Sequence, residues 1–207
     1  MNLPNGLTLM RIFLVPLLVA VLLTKYNVLI AALIFLAASL TDLLDGYLAR
    51  KRGQVTTLGT LLDPVADKLL ISSAFISLVQ LQVVPAWMVV IIIGREFAIS
   101  GLRSIASAQG FTIDASELGK IKMAAQVAAI TLLILGMPGG SAYPVLHALG
   151  NIALYFVVLF ALLSAVDYFR TFWTKIDIRF KARERRRLSL MQKRQRRQVP
   201  TRDVPTH

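Results

Sequence analysis

Apolar residues dominate six separate stretches of this sequence, each close to the length of a membrane crossing. The six stretches are Leu7 to Leu23, Val28 to Leu44, Leu61 to Leu81, Val83 to Ile105, Leu118 to Leu135 and Val145 to Ala165. A hydrocarbon core of roughly 30 Å needs about 20 helical residues for each crossing. Residues that favour turns mark the breaks: Gly53 follows the second stretch, Pro85 opens the fourth, and Pro138 precedes the sixth. The pattern predicts an all-α protein, a polytopic membrane bundle of six transmembrane helices.

The composition agrees with a membrane protein and limits where an active site can lie. Of the 207 residues, 56% are hydrophobic and 16% are charged. Because six crossings use most of this length, an active site must come from the helices and their short connections. The sequence has no cysteine, which excludes disulfides and thiolate chemistry.

Positive charge is concentrated in the C-terminal segment. From Arg170 onward there are thirteen Lys or Arg and three Asp or Glu, so +10 of the formal charge of +12 belongs to this segment. Basic clusters beside a membrane helix typically meet anionic lipid headgroups, and nucleic acid is therefore not expected as a partner. We divide the chain into a transmembrane domain, residues 1–169, and a basic cytoplasmic tail, residues 170–207, that is expected to be partly disordered.

The connections between the stretches differ in charge, and this difference predicts the orientation. Cations follow the second stretch at residues 50–52, and Arg103, Lys120 and Lys122 flank the connection after the fourth. The alternate connections contain almost none. Since cytoplasmic loops carry the excess of Lys and Arg, we expect both termini and the charged loops to be cytoplasmic.

Four aspartates lie near the facing ends of the second and third stretches. Asp42 and Asp45 are three residues apart, and Asp63 and Asp67 are four apart. Residues at these spacings share one face of a helix. A short connection folds the two helices antiparallel, so the four carboxylates are expected to meet at the cytoplasmic end of the bundle. Four like charges need cations, and carboxylate oxygens favour Mg²⁺ or Mn²⁺, in a site that could hold two ions.

The same residues also allow plainer interpretations. The aspartates could cap helices or pair with neighbouring Arg and Lys at a charged membrane boundary, although ionisable groups within spanning segments are more often functional. Gly46, Ala49 and Gly59 lie close to the aspartates. Small residues there could admit a ligand close to the backbone or simply allow tight helix packing.

The residues around the aspartates resemble the signature of the CDP-alcohol phosphotransferase family. The matching stretch is Asp42-Leu-Leu-Asp45-Gly46-Tyr-Leu-Ala49-Arg50, followed after eight residues by Gly59-Thr-Leu-Leu-Asp63-Pro-Val-Ala-Asp67. The resemblance covers about residues 2–166 and includes Pro4-Asn5-Gly-Leu-Thr8-Leu-Met-Arg11, Gly94-Arg95-Glu96 with Arg103, and Gly119-Lys120-Ile-Lys122 with Gln126. These flanking stretches are similar to the members that use glycerol 3-phosphate. Met123 departs from the pattern, because those members commonly have threonine there.

The resemblance implies a reaction, a cofactor and a setting. The phosphatidyl group of CDP-diacylglycerol would pass to sn-glycerol 3-phosphate, and CMP would leave. Two Mg²⁺ or Mn²⁺ ions would neutralise the diphosphate. The resemblance also implies an integral protein of the bacterial inner membrane, in contact with membrane lipids, that forms a homodimer.

The resemblance further implies roles for individual residues. The metal ligands would be Asp42, Asp45 and Asp63, and Asp67 would be the general base and could also touch a metal. The nucleotide and diphosphate pocket is assigned to Gly46, Ala49, Arg50, Gly59, Asn5 and Thr8. The acceptor phosphate is assigned to Arg95, Arg103, Lys120 and Lys122, because guanidinium groups grip phosphate through paired hydrogen bonds and lysines add point charge.

Other functions stay open on the sequence alone. The nearest is the same chemistry on another acceptor: inositol phosphate, serine or phosphatidylglycerol. An aspartate-rich prenyltransferase would normally need more helices. A transporter or channel would place its acids at the bilayer centre, whereas these aspartates lie near one end of their stretches.

Overall fold

The described residues form six consecutive helices. The computed structural model describes residues 3–24, 27–52, 57–111, 118–138 and 143–198, and no strand occurs within these ranges. The helices are α1 (Leu3–Leu23), α2 (Val28–Arg52), α3 (Thr57–Gln80), α4 (Ala86–Ala108), α5 (Leu118–Leu135) and α6 (Tyr143–Gln198). The prediction of an all-α protein with six helices is confirmed.

Local side-chain and backbone signals define where the helices begin and end. At the start of α2, the Oδ1 atom of Asn27 accepts hydrogen bonds from the backbone N–H groups of Leu29 and Ile30, at 2.9 and 3.2 Å. This satisfies two donors that have no partner within the helix. Pro85 precedes α4 with an extended backbone (φ −69°, ψ 133°), because its ring cannot continue a preceding helical turn.

The end of α4 is a glycine-dependent cap that directs the chain towards α6. Gly110 has a φ of 76°, in the left-handed region that glycine adopts without strain. The N–H of Gly110 donates to the carbonyl of Ser107 at 2.9 Å, and the N–H of Phe111 donates to that of Ala106 at 3.0 Å. This pair of bonds is the Schellman arrangement. It brings the ring of Phe111 to 6.2 Å from the ring of Phe172 in α6.

Helix α3 lies at the centre of the bundle. It packs against α1, α2, α4 and α5, whereas α1 packs against α2 and α3 only, among the parts of the helices that the structure describes. The main core is apolar, and its largest fully buried side chains include Phe35, Phe75, Met88, Ile92 and Leu133.

The chain at the C-terminal end of α5 packs closely against α6. A Cβ atom added to Gly136 would lie 2.5 Å from the backbone nitrogen of His147, and one added to Gly150 would lie 2.9 Å from the side chain of Leu133. Small residues let two helix backbones approach closely. These two glycines therefore fix how α5 lies on α6.

Helix α6 is much longer than the predicted sixth stretch. Its 56 residues span about 84 Å at 1.5 Å per residue. Neither glycine nor proline occurs between Gly150 and Pro200, and the basic segment is rich in residues that favour helices. The helix thus continues without a break into the segment assigned to the tail. The division at residue 169 and the partial disorder of the tail stay predictions.

Among the described residues, one helix is long and apolar enough to cross a membrane, judged by length and composition. It is Tyr143–Ile178, and shorter apolar helices cover Thr8–Leu23, Val28–Thr41 and Met123–Leu135, within the residues described. Helices α3 and α4 contain charged residues in their interiors, which lowers their mean hydropathy. The six-span topology stays a prediction.

Candidate functional site

A polar cavity lies where α3, α4, α5 and α6 meet. Its volume is about 320 Å³, and each of the four helices contributes to its wall. Charged residues in the wall are Asp67 and Lys68 of α3 and Arg95, Glu96 and Arg103 of α4. Charged groups this close together inside a helical bundle are costly unless they bind something. The cavity is therefore the candidate active site among the described residues.

Arg95 is held in the cavity by two neighbours. Its side chain is 14% exposed, and its Nη1 lies 3.2 Å from Oε1 of Glu96. Its Nη2 donates a hydrogen bond to Oγ of Ser164 in α6, at 2.8 Å. The Ser164 hydroxyl in turn donates to the carbonyl of Ala161 at 3.1 Å. Arg95 is thus oriented by both α4 and α6 before any ligand arrives.

Arg103 lies two turns further along α4, in the wall of the same cavity. It is exposed, whereas Arg95 is partly buried. Asp67 of α3 is also partly buried and faces the same space. The structure thus brings together three of the predicted site residues, which supply one carboxylate and two guanidinium groups.

The other predicted site residues lie on the expected helices. The backbones of Asp42, Asp45, Gly46, Ala49 and Arg50 belong to α2, those of Gly59 and Asp63 to α3, that of Asn5 to α1, and those of Lys120 and Lys122 to α5. The side chains at these positions lie outside the described part of the structure. Thr8 is described and is buried in α1. No group of three metal-binding side chains occurs among the described residues.

Several residues near these elements received no role from the sequence. Gln126 of α5 and Tyr168 of α6 line the cavity, and Ser164 orients Arg95. Only tertiary packing shows that they face the cavity. Arg11 of α1 is among the largest fully buried side chains of the described residues, with 1% of its surface exposed. It is a charged residue within an apolar stretch and part of the stretch that resembles the family, and both signals are visible in the sequence.

The comparison with protein families identifies the class to which this fold and cavity belong. The family model for CDP-alcohol phosphatidyltransferase matches residues 1–169. That range includes the four aspartates, the cavity and all but the basic part of α6. The chain belongs to the CDP-alcohol phosphatidyltransferase family.

Individual relatives are similar over most of their length. A Bacillus subtilis protein named CDP-diacylglycerol--glycerol-3-phosphate 3-phosphatidyltransferase is 41% identical over 187 residues, which cover 83% of this chain and 95% of that protein. A Rickettsia felis protein of the same name is 36% identical, covering 82% and 94%. A Mycobacterium tuberculosis protein named probable phosphatidylglycerophosphate synthase is 37% identical, covering 81% and 79%.

Proposed function

We propose that this chain transfers the phosphatidyl group of CDP-diacylglycerol to sn-glycerol 3-phosphate, giving phosphatidylglycerol phosphate and CMP. The observation that carries the proposal is the cavity in which Asp67 faces the same space as Arg95 and Arg103. An acceptor that carries both a phosphate and a reactive hydroxyl needs these two kinds of group side by side. The names of the curated relatives support the same reaction.

The chemistry of each side chain determines its proposed role towards the acceptor. Arg95 and Arg103 bind the phosphate of glycerol 3-phosphate, and Lys120 and Lys122 add positive charge at the start of α5. Asp67 accepts the proton of the attacking hydroxyl. The oxygen of that hydroxyl then bonds to the phosphorus of the phosphatidyl group, and the bond from this phosphorus to CMP breaks.

On the donor side, Asp42, Asp45 and Asp63 would hold Mg²⁺ or Mn²⁺, with Asp67 at the edge of the same cluster. Such ions, when bound, neutralise the diphosphate and stabilise the departing CMP. The donor set fits, because Asp42 and Asp45 lie on α2 and Asp63 lies on α3, and these two helices pack together. The nucleotide pocket would use Gly46, Ala49, Arg50, Gly59, Asn5 and Thr8.

Arg11 supports this acidic cluster independently. Its guanidinium is buried on α1, which packs against α2 and α3 within the described residues. The acidic residues of α2 and α3 are the four aspartates and no others. A buried positive charge is stable only when it is paired or well hydrogen-bonded. These aspartates are the acids on the two helices that α1 contacts among the described residues, and they are proposed to balance the charge of Arg11.

The surface supports a membrane setting. Large apolar side chains are exposed on most helices, for example Phe13 of α1 at 74%, Val90 of α4 at 69% and Leu163 of α6 at 58%. Contact with the apolar core of a bilayer stabilises such a surface, whereas its exposure to water is unfavourable. We infer six spans in the bacterial inner membrane, with both termini cytoplasmic, lipid headgroups around the basic tail and assembly as a homodimer.

The acceptor is tested by measuring CMP release. Purified protein is supplied with CDP-diacylglycerol and Mg²⁺ together with glycerol 3-phosphate, inositol phosphate or serine. We expect release with glycerol 3-phosphate alone, and loss of release in Asp67→Asn. Asp177→Asn serves as the matched control, because Asp177 is exposed and pairs with Lys181 away from the cavity. CMP release with another acceptor would support phosphatidyl transfer but contradict glycerol 3-phosphate as the acceptor.

A further inference from the structure

Three residues of the cavity wall each carry a buried polar atom that has no hydrogen-bond partner among the described residues. One is Nε of Arg95, and the other two are Nε2 of Gln126 in α5 and the hydroxyl of Tyr168 in α6. Gln126 is 4% exposed, and both it and Tyr168 line the cavity beside Arg95 and Arg103. The proposed mechanism assigns neither Gln126 nor Tyr168 a role in binding the phosphate or accepting the proton.

Such atoms are unusual in a folded protein. Roughly 90% or more of buried polar groups have a partner, and leaving one without costs about 1–3 kcal/mol. A ligand that supplies the missing partners recovers this energy when it binds. Unpartnered polar atoms on residues that line a cavity therefore indicate which polar group the ligand carries there.

The surrounding structure holds the side chains of Gln126 and Tyr168 in place. Tyr168 packs against a small apolar cluster formed by Ala106 and Phe111 at the end of α4 and by Phe172 midway along α6. Gln126 is followed one turn later on α5 by Ala129 and Ile130, which are fully buried. The two polar atoms are thus pre-organised, so a ligand gains their hydrogen bonds with little loss of conformational entropy.

Glycerol 3-phosphate has one polar group that the proposed mechanism leaves unassigned. Its phosphate is matched by the two arginines, and its reacting terminal hydroxyl is matched by Asp67. The remaining group is the hydroxyl on the middle carbon, which both donates and accepts hydrogen bonds. An amide N–H donor and a phenol that can donate or accept are complementary to it.

We propose that Gln126 and Tyr168 bind the middle hydroxyl of the acceptor and thereby select glycerol 3-phosphate over phosphate esters that lack this hydroxyl. This inference rests on the proposed function. A site built to hydrogen-bond a substrate hydroxyl discriminates strongly against the analogue without it, because the buried polar groups of the site then stay unpaired.

The test compares two acceptors that differ in this hydroxyl alone: glycerol 3-phosphate and the monophosphate of 1,3-propanediol. The wild-type protein should prefer glycerol 3-phosphate by about tenfold or more in kcat/KM. Gln126→Leu and Tyr168→Phe should each lose about tenfold with glycerol 3-phosphate and less than about twofold with the analogue, so the preference shrinks. The KM for CDP-diacylglycerol should stay the same.

Matched controls separate this role from a structural one. Gln80→Leu and Tyr155→Phe make the same chemical changes at exposed positions on α3 and α6 and should keep the wild-type preference. Equal losses with both acceptors, or a wild type that uses both equally well, would overturn the proposal. If Gln126→Leu does not fold, Tyr168→Phe decides. Activity with glycerol 3-phosphate in the wild type separates failure of this proposal from failure of the proposed function.

Discussion

The contact between Gly136 and α6 gives a sharp test of the packing that holds the cavity together. In Gly136→Ala, the new Cβ would lie 2.5 Å from the backbone nitrogen of His147, 2.7 Å from its Cα and 2.9 Å from the carbonyl carbon of Leu146. All three are backbone atoms, so no side chain can rotate away. Ordinary contact begins at 3.4 Å, and α6 would therefore have to move by about 0.9 Å.

The expected cost follows from this geometry. Overpacking in a close-packed interior typically costs about 1–3 kcal/mol, and a clash with backbone belongs at the upper end. For a chain of this size, about 3 kcal/mol corresponds to a fall of roughly 6–12 °C in the melting temperature. Gly150→Ala should cost less, because part of its clash is with the side chain of Leu133.

Thermal unfolding of the purified protein in detergent measures this difference. Gly101→Ala is the matched control, since a Cβ at Gly101 in α4 has nothing within 4 Å. That control should melt at or slightly above the wild-type temperature, because alanine favours a helix by about 1 kcal/mol over glycine. A Gly136→Ala protein that melts together with Gly101→Ala would refute the close packing of the C-terminal end of α5 against α6.

Two further predictions concern the site itself. Ser164→Ala removes the 2.8 Å hydrogen bond that orients Arg95. It should raise the KM for glycerol 3-phosphate about fivefold with little change in kcat. The control Ser189→Ala, at an exposed position of α6, should leave this KM unchanged. Unchanged KM in Ser164→Ala would contradict the orienting role. Removal of divalent ions by a chelator should abolish CMP release, and added Mg²⁺ should restore it and raise the melting temperature of the wild type more than that of Asp63→Asn. A melting temperature that rises equally in both would place the ion elsewhere.

The helices were predictable because their signal is local. Six apolar stretches separated by turn residues such as Pro85 led directly to six helices. The full length of α6 was not predictable from hydropathy, since its second half is polar. That half is helical because it lacks glycine and proline and is rich in helix-favouring residues, which is a propensity signal rather than an apolar one.

The candidate site was predictable only in part. Asp67, Arg95 and Arg103 stood out because charged residues are rare within apolar stretches. Gln126 and Tyr168 carry no charge, and their importance depends on facing a cavity that four helices form together. Ser164 likewise matters only because α6 lies beside Arg95. Contacts between distant parts of the chain are not readable from a single sequence.

The central claim is that the cavity beside Asp67 holds the acceptor, and Arg103→Gln tests it most directly. Arg103 lines the cavity, and loss of a hydrogen bond to a charged group costs about 1.5–3 kcal/mol. We predict that the KM of Arg103→Gln for glycerol 3-phosphate rises about 10- to 100-fold, while its KM for CDP-diacylglycerol stays unchanged. The control is Arg170→Gln, at an exposed position of α6, and it should keep the wild-type KM for both substrates. An equal rise in the KM for CDP-diacylglycerol, or no rise for either substrate, would contradict the account.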